Sequence, residues 1–271
     1  MRSFAMSVLV AVSLAFPLQG ALAQEPVVQD VRVEQHGAWT EILQAYVQVN
    51  QDGINRFDYA RLKQNPNDLQ KLDKYIQQLA VSDVFKSGTD DEQFAAWANL
   101  YNALTIQLVT EKYPVKSIRD IGGNFIQRGP WKKDIVKVQG KDLSLDDIEH
   151  GILRKKWNDP RVHYAVNCAS LGCPNLLKKA WEAQSLDVDL NQAASNYINH
   201  PRGVSVREDG RLVVSKIYDW FSEDFGGSQV GEIMHFMKFA SPELVSHLSA
   251  ETMIKSYRYD WSLNDVKEKG E

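Results

Sequence analysis

The stretch from Asp90 to Thr110 reads as a helix with an apolar face and, opposite it, uncharged residues, a pattern that predicts burial on both sides. Turned at about 100° per residue, Trp97, Tyr101, Leu104 and Leu108 share one face, while Asn99, Asn102 and Ile106 fall on roughly the opposite one. The helix must stop near Lys112-Tyr113-Pro114, because proline disfavours helix in the residue before it. Its asparagines then need partners, since each brings two donors and an acceptor into the interior. A buried network that fixes helix packing is one use for them. Stabilisation of an oxyanion by Asn102 is another.

Shorter patterns surround this helix. Trp39, Ile42, Leu43, Tyr46 and Val47 follow helical spacing, and so do Leu69, Leu72, Ile76 and Leu79. Ile135 to Val138, a Gln139-Gly140 turn and a short run to Leu143 read as a hairpin. Ser144 with Asp147 forms a capping-box pattern that opens a helix to about Trp157. Val162 to Val166 reads as a short, mostly buried strand. Val204 to Val206 and Leu212 to Val214 form a second hairpin around Asp209-Gly210. Ile217, Trp220 and Phe221, then Val230, Ile233, Met234 and Met237, give further helical faces, and Lys255 to Asp260 a final strand. The expected fold is α+β: a helix-rich single domain with a small, mainly antiparallel sheet.

Met1 and Arg2 precede an apolar run, Phe4 to Phe16, that is too short to span a bilayer. Ala21-Leu22-Ala23 then gives a small-x-small cleavage pattern, so residues 1–23 read as a signal peptide. The domain would run over 24–264 and a frayed tail over 265–271. No later stretch approaches the roughly 18 apolar residues of a membrane helix. These features predict a soluble protein, periplasmic or secreted, in a compartment that permits disulfides. The 271-residue chain carries a net charge of −4 and no basic stripe, which argues against nucleic acid as a partner.

The 144–157 helix holds an anomaly. Leu145, Ile148, Ile152 and Leu153 share a face, Glu149 falls in its middle and His150 toward its edge. A carboxylate aimed at a core must be paired or hydrogen-bonded. A structural ion pair with an arginine is the plain reading. A catalytic carboxylate that orients a histidine is the sharper one.

Both cysteines, Cys168 and Cys173, lie in the segment Val162 to Leu176, with His163 upstream. Thiol and imidazole are the side chains most readily turned to nucleophilic chemistry near neutral pH. On a strand, His163 and Cys168 would point to opposite faces and lie roughly 16 Å apart, at about 3.3 Å per residue. A direct dyad therefore needs the chain to turn, and Ala169 to Gly172 supplies a turn. His150 is the other candidate partner. A Cys168–Cys173 disulfide across Gly172 and Pro174 is the structural alternative. Cys-x4-Cys is looser than the usual zinc spacing, and the thioredoxin Cys-x-x-Cys is absent. Asn50-Gln-Asp-Gly-Ile-Asn fails as a calcium loop, because Gln48 and Tyr59 stand where its carboxylates belong. No cofactor motif is found.

Several segments together carry a resemblance. They are Trp97-Ala-Asn-Leu-Tyr-Asn102, Leu143-Ser-Leu-Asp-Asp-Ile-Glu-His150 with Ile152-Leu-Arg154, and Val162-His-Tyr-Ala-Val-Asn-Cys-Ala-Ser170 with Cys173-Pro174. Ser215-Lys-Ile-Tyr-Asp-Trp220 with Asp224-Phe225, and Tyr259-Asp-Trp-Ser-Leu-Asn264, complete the set. The chain resembles the family catalogued as domain of unknown function 547. In plant members the first cysteine is kept while the second position is often serine. Carried over, this gives Cys168 the better claim to function and makes Cys173 a disulfide partner or resolving thiol. The family's Glu-His pair falls on Glu149 and His150, and its strand histidine on His163.

The resemblance implies a thiol-dependent hydrolase or transferase acting on peptide-like amides or thioesters, by analogy with papain- and transglutaminase-type enzymes. Cys168 would attack, His163 or His150 would take the proton, Glu149 would orient the imidazole and Asn102 would bind the oxyanion. Its partner would be a small peptide-like or protein substrate. The alternative is a non-catalytic binding or scaffold domain with Cys168 and Cys173 joined. Mass spectrometry of exported protein is expected to find the N-terminus at or near Gln24; an intact Met1 would refute the leader.

Overall fold

The computed structural model describes residues 35–122 and 129–266. The expected leader, and the last residues of the expected tail, lie outside them. Helices α1 (Gly37–Tyr46), α2 (Tyr59–Lys63), α3 (Pro66–Val81) and α4 (Val84–Ser87) precede the long α5 (Asp90–Lys112). A strand pair, β1 (Val47–Val49) and β2 (Asn55–Phe57), is inserted after α1. After α5 come the hairpin β3 (Val136–Val138) and β4 (Lys141–Leu143), then a π-helical segment, Asp147–Leu153, that runs into α6 (Arg154–Trp157). Helices α7 (Val162–Ala165) and α8 (Leu186–Ile198) follow. Strands β5 (Val204–Val206) and β6 (Leu212–Ser215), helices α9 (Lys216–Trp220), α10 (Gln229–Met237) and α11 (Pro242–Val245), and strand β7 (Ile254–Arg258) complete the fold.

The centre is α5, as its two-sided pattern predicts. It is buried almost without interruption from Phe94 to Thr110 and is packed by α2, α3, α4 and the π-helical segment. Its start is fixed by a capping box in which Thr89 and Glu92 satisfy each other's backbone N–H groups. The apolar stripes of α1 (Trp39, Ile42, Leu43, Tyr46) and α3 (Leu72, Tyr75, Ile76, Leu79) close on this core.

The strands are spread over three small sheets. β1–β2 and β3–β4 are antiparallel pairs; in the third sheet β6 pairs antiparallel with β5 and parallel with β7. The β3–β4 turn forms where expected, with Gln139 and Gly140 both at positive φ (49° and 84°), the geometry of a tight hairpin. The described residues form one helix-rich α+β domain, and none of their helices is long and apolar enough to cross a membrane.

One expected element differs. Val162 to Val166 is not a strand: Val162–Ala165 is a single helical turn, followed by extended chain. Asp159 and Pro160 nucleate it, their carbonyls accepting from Val162 and His163. Four consecutive residues of that turn are buried, so no periodicity marks it as helix rather than strand. The chain stays anchored through Asp265, which bridges to Phe57 and accepts a hydrogen bond from the Tyr113 hydroxyl.

His235 on α10 is buried, with Nε2 against the Tyr164 hydroxyl at 2.8 Å. Burial, then the charges of Lys238 and His163, push its pKa from 6.5 down to about 4. The unfolded chain binds that proton below about 6.5 and the folded chain only near 4, so this contribution is intact above 6.5 and is lost as pH falls toward 4. His235→Gln, which never charges, is expected to lose melting temperature less steeply than the parent over that range; an unchanged slope would place the acid sensitivity elsewhere.

Candidate functional site

Buried asparagines of α5 hold the backbone that carries the cysteines. Asn102 donates through Nδ2 to the Ala165 carbonyl (2.9 Å) and accepts from the Asn167 N–H (2.8 Å). Asn99 grips the Trp181 backbone in the same two-ended way, at 2.8 and 3.0 Å. Asn102 is thus the packing network of the two readings above. Both ends of its amide are engaged, and it does not line the cavity described below.

Beyond Asn167 the chain turns sharply. Ala169 adopts φ 60°, a strained conformation for a residue with a Cβ, and is held there by the Asn167 side chain and by Asn264. Leu171 and Gly172 donate to the carbonyls of Ser262 and Asp260, both at 2.8 Å. A Cβ on Gly172 would lie 2.9 Å from the backbone of Asp260, so only glycine allows this approach. Cys168 and Cys173 are joined as a disulfide, with Cα atoms 6.4 Å apart. The Tyr259 hydroxyl lies 3.1 and 3.0 Å from their sulfurs.

The second half of the site comes from the π-helical segment. Ser144 and Asp147 form the predicted capping box, each accepting from the other's N–H. The helix then widens to π geometry over Asp147–Leu153, a departure from regular α-helix often found at functional sites. Glu149 faces inward at 9% exposure, with its Oε1 4.0 Å from Nδ1 of both His150 and His163. Burial, then this carboxylate, raise the Tyr101 hydroxyl well above its usual range. Among the described residues no arginine forms an ion pair with Glu149, and Arg154 is turned to Asp224.

His163 is fixed from the other side by Asp224, which accepts at 2.6 Å from Nε2. Arg154 holds the same carboxylate through Nε and Nη2, at 2.6 and 3.0 Å. Burial would raise Asp224, but the hydrogen bonds from His163 and Arg154 outweigh it and hold its carboxyl well below the usual range. The imidazole stacks on Phe221 at 4.3 Å, and Arg154 covers the same ring. With Nε2–H donated to Asp224, Nδ1 is left as the basic nitrogen, on the side of Glu149. Asp224 is placed by the 3₁₀ turn Ser222–Phe225, which ends at Gly226 (φ 99°).

One cavity of about 390 Å³ brings these groups together. Cys168, Cys173, His163, His150 and Glu149 line it, so His163 and Cys168 share one cavity even though the expected strand is absent. Trp131, Trp220, Trp261 and Phe221 supply apolar walls. Residue-by-residue reading missed Asp224, Arg154, Tyr259 and these aromatics. The signal was in the segments around Asp224-Phe225 and Tyr259 to Asn264, which carried the family resemblance without suggesting roles.

Asp224→Ala strands both Arg154 and His163. It is expected to cost about 1–3 kcal/mol, less than breaking a fully buried pair, because this carboxylate partly meets water. Glu149→Ala, which loses the Tyr101 hydroxyl and two histidines at 4.0 Å but no guanidinium among the described residues, is expected to cost less. Chemical denaturation of both variants checks the order, and equal costs would contradict the division of roles.

Neither a search of curated proteins nor a search of solved structures finds a match to this chain. Residues 85–198 match a protein-family description, Protein of unknown function, DUF547, and this segment runs from α4 to the end of α8. It contains Asn102, Glu149, His150, His163, Cys168 and Cys173. Over that segment, the chain is similar to the DUF547 family.

Proposed function

We propose that the protein is an exported, thiol-dependent acyl-transfer enzyme, a hydrolase or transferase for peptide-like amides or thioesters, whose nucleophile Cys168 is stored as a disulfide with Cys173. The observation that carries this reading is the shared cavity of Cys168 and His163, with the imidazole oriented by Asp224. Glu149 acts beside Nδ1 of His163 as an electrostatic partner, so the orienting role falls to Asp224. The disulfide supports residence in an oxidising compartment.

The resting state needs an external dithiol, which gives two electrons and two protons and leaves as its own disulfide. His163 Nδ1 then takes the Cys168 proton, and the thiolate attacks the substrate carbonyl. Collapse of the tetrahedral adduct breaks the bond to the amine or thiol, which leaves with the proton held by His163. Water or an acceptor amine then releases the acyl group and returns the thiol. Tyr259, touching both sulfurs in the oxidised form, can donate its O–H to the thiolate. The closed disulfide equally favours a second reading, a binding domain in which the two cysteines only brace the loop.

Cys173→Ser separates the two, because it frees Cys168 without reductant. Its thiol is expected to react with iodoacetamide at about pH 6–7 faster than an ordinary thiol. Adding His163→Ala should slow that labelling by about tenfold or more, and Cys168→Ala should remove it in reduced parent protein. A Cys168 that reacts no faster than a free peptide thiol, whether or not His163 is present, would leave the binding domain.

A further inference from the structure

A second cavity, of about 460 Å³, is lined by Leu171 and Gly172 of the cysteine loop and shares Tyr259 with the first. Three arginines, Arg56, Arg202 and Arg258, line it together with Asp52 and Asp260. The charges are not evenly matched. Arg56 is neutralised by Asp52 through two hydrogen bonds, at 3.0 and 2.6 Å. Asp260 accepts from the Ser262 N–H with one oxygen.

Arg202 and Arg258 have no such partner. Arg202 gives Nη1 to the Leu171 carbonyl (3.1 Å) and Nη2 to Oδ1 of Asn175 (2.7 Å), both neutral acceptors. Its Nε–H is buried with no acceptor among the described residues. Arg258 gives Nη2 to the Pro201 carbonyl at 2.6 Å and forms no ion pair among the described residues. Burial pushes the Arg202 guanidinium down from its ordinary value, the mark of a cation held without full compensation. Two planar guanidiniums facing one cavity match the paired oxygens of a carboxylate or phosphate. The cavity is larger than such a group alone, and its volume is that of a small-molecule site.

We propose that this cavity binds the oxyanion end of a small ligand, a carboxylate or phosphate held between Arg202 and Arg258, with the remainder of the ligand lying along Tyr259 and Gly172. The site needs no thiol chemistry, so it stands or falls apart from the reading of Cys168. Calorimetric titration of the oxidised, full-length mature protein with inorganic phosphate and, separately, acetate tests it. Ionic strength is held constant with chloride. Saturable millimolar binding of either anion is expected, and which one binds identifies the oxyanion. Arg258→Gln, whose side chain bonds only one exposed carbonyl, should fold normally and weaken binding about tenfold. Arg202→Gln should abolish binding; if it fails to fold, Arg258→Gln decides alone. No saturable binding of either anion, or binding by Arg258→Gln equal to that of the parent, would overturn the proposal.

Discussion

Asn99 and Asn102 make the middle of α5 a template for chain that has no regular structure of its own. Each amide satisfies one backbone donor and one backbone carbonyl from a distant loop, at 2.8 to 3.0 Å, in an interior where an unpaired group would cost about 1–3 kcal/mol. An apolar residue at either position would keep the packing and lose the placement. The Ala165 carbonyl is tied twice, by Asn102 and by the Trp181 indole, so the two asparagines act on one continuous patch of backbone. His163 and Cys168 stand on either side of that patch.

The electrostatics of the site follow from this fixed backbone. Asp224 receives hydrogen bonds from a guanidinium and an imidazole, and it remains ionised against the pull of burial. That choice leaves Glu149, among the described residues, with no lysine or arginine in ion-pair contact and with two histidines at 4.0 Å. Two carboxylates with different surroundings thus meet one imidazole, one anchoring it and the other biasing its free nitrogen.

Elements with local signals were legible. The helices with apolar stripes, the Gln139-Gly140 hairpin and the Ser144–Asp147 capping box all rest on neighbouring residues. The turn Val162–Ala165 was not, because a run buried on every side has no period to read. The helix widens to π geometry at Glu149, which a regular wheel does not foretell, yet the wheel still turns this carboxylate inward, where it lies 4.0 Å from His150 and His163. Asp224 reaches His163 from 61 positions away, and no spacing rule connects them.

The strap from Tyr259 to Asn264 has a consequence for the order of events. It lies across the cysteine loop through Asp260 and Ser262, and Asn264 ties it to Phe57 and to the Tyr59 hydroxyl, 205 positions earlier. Contacts of that span form late, after loop closure has been overcome. Without the strap, the cysteine loop loses the carbonyls of Asp260 and Ser262 that accept from Gly172 and Leu171. A chain cut before Tyr259 lacks both this strap and the hydroxyl that lies against the two sulfurs.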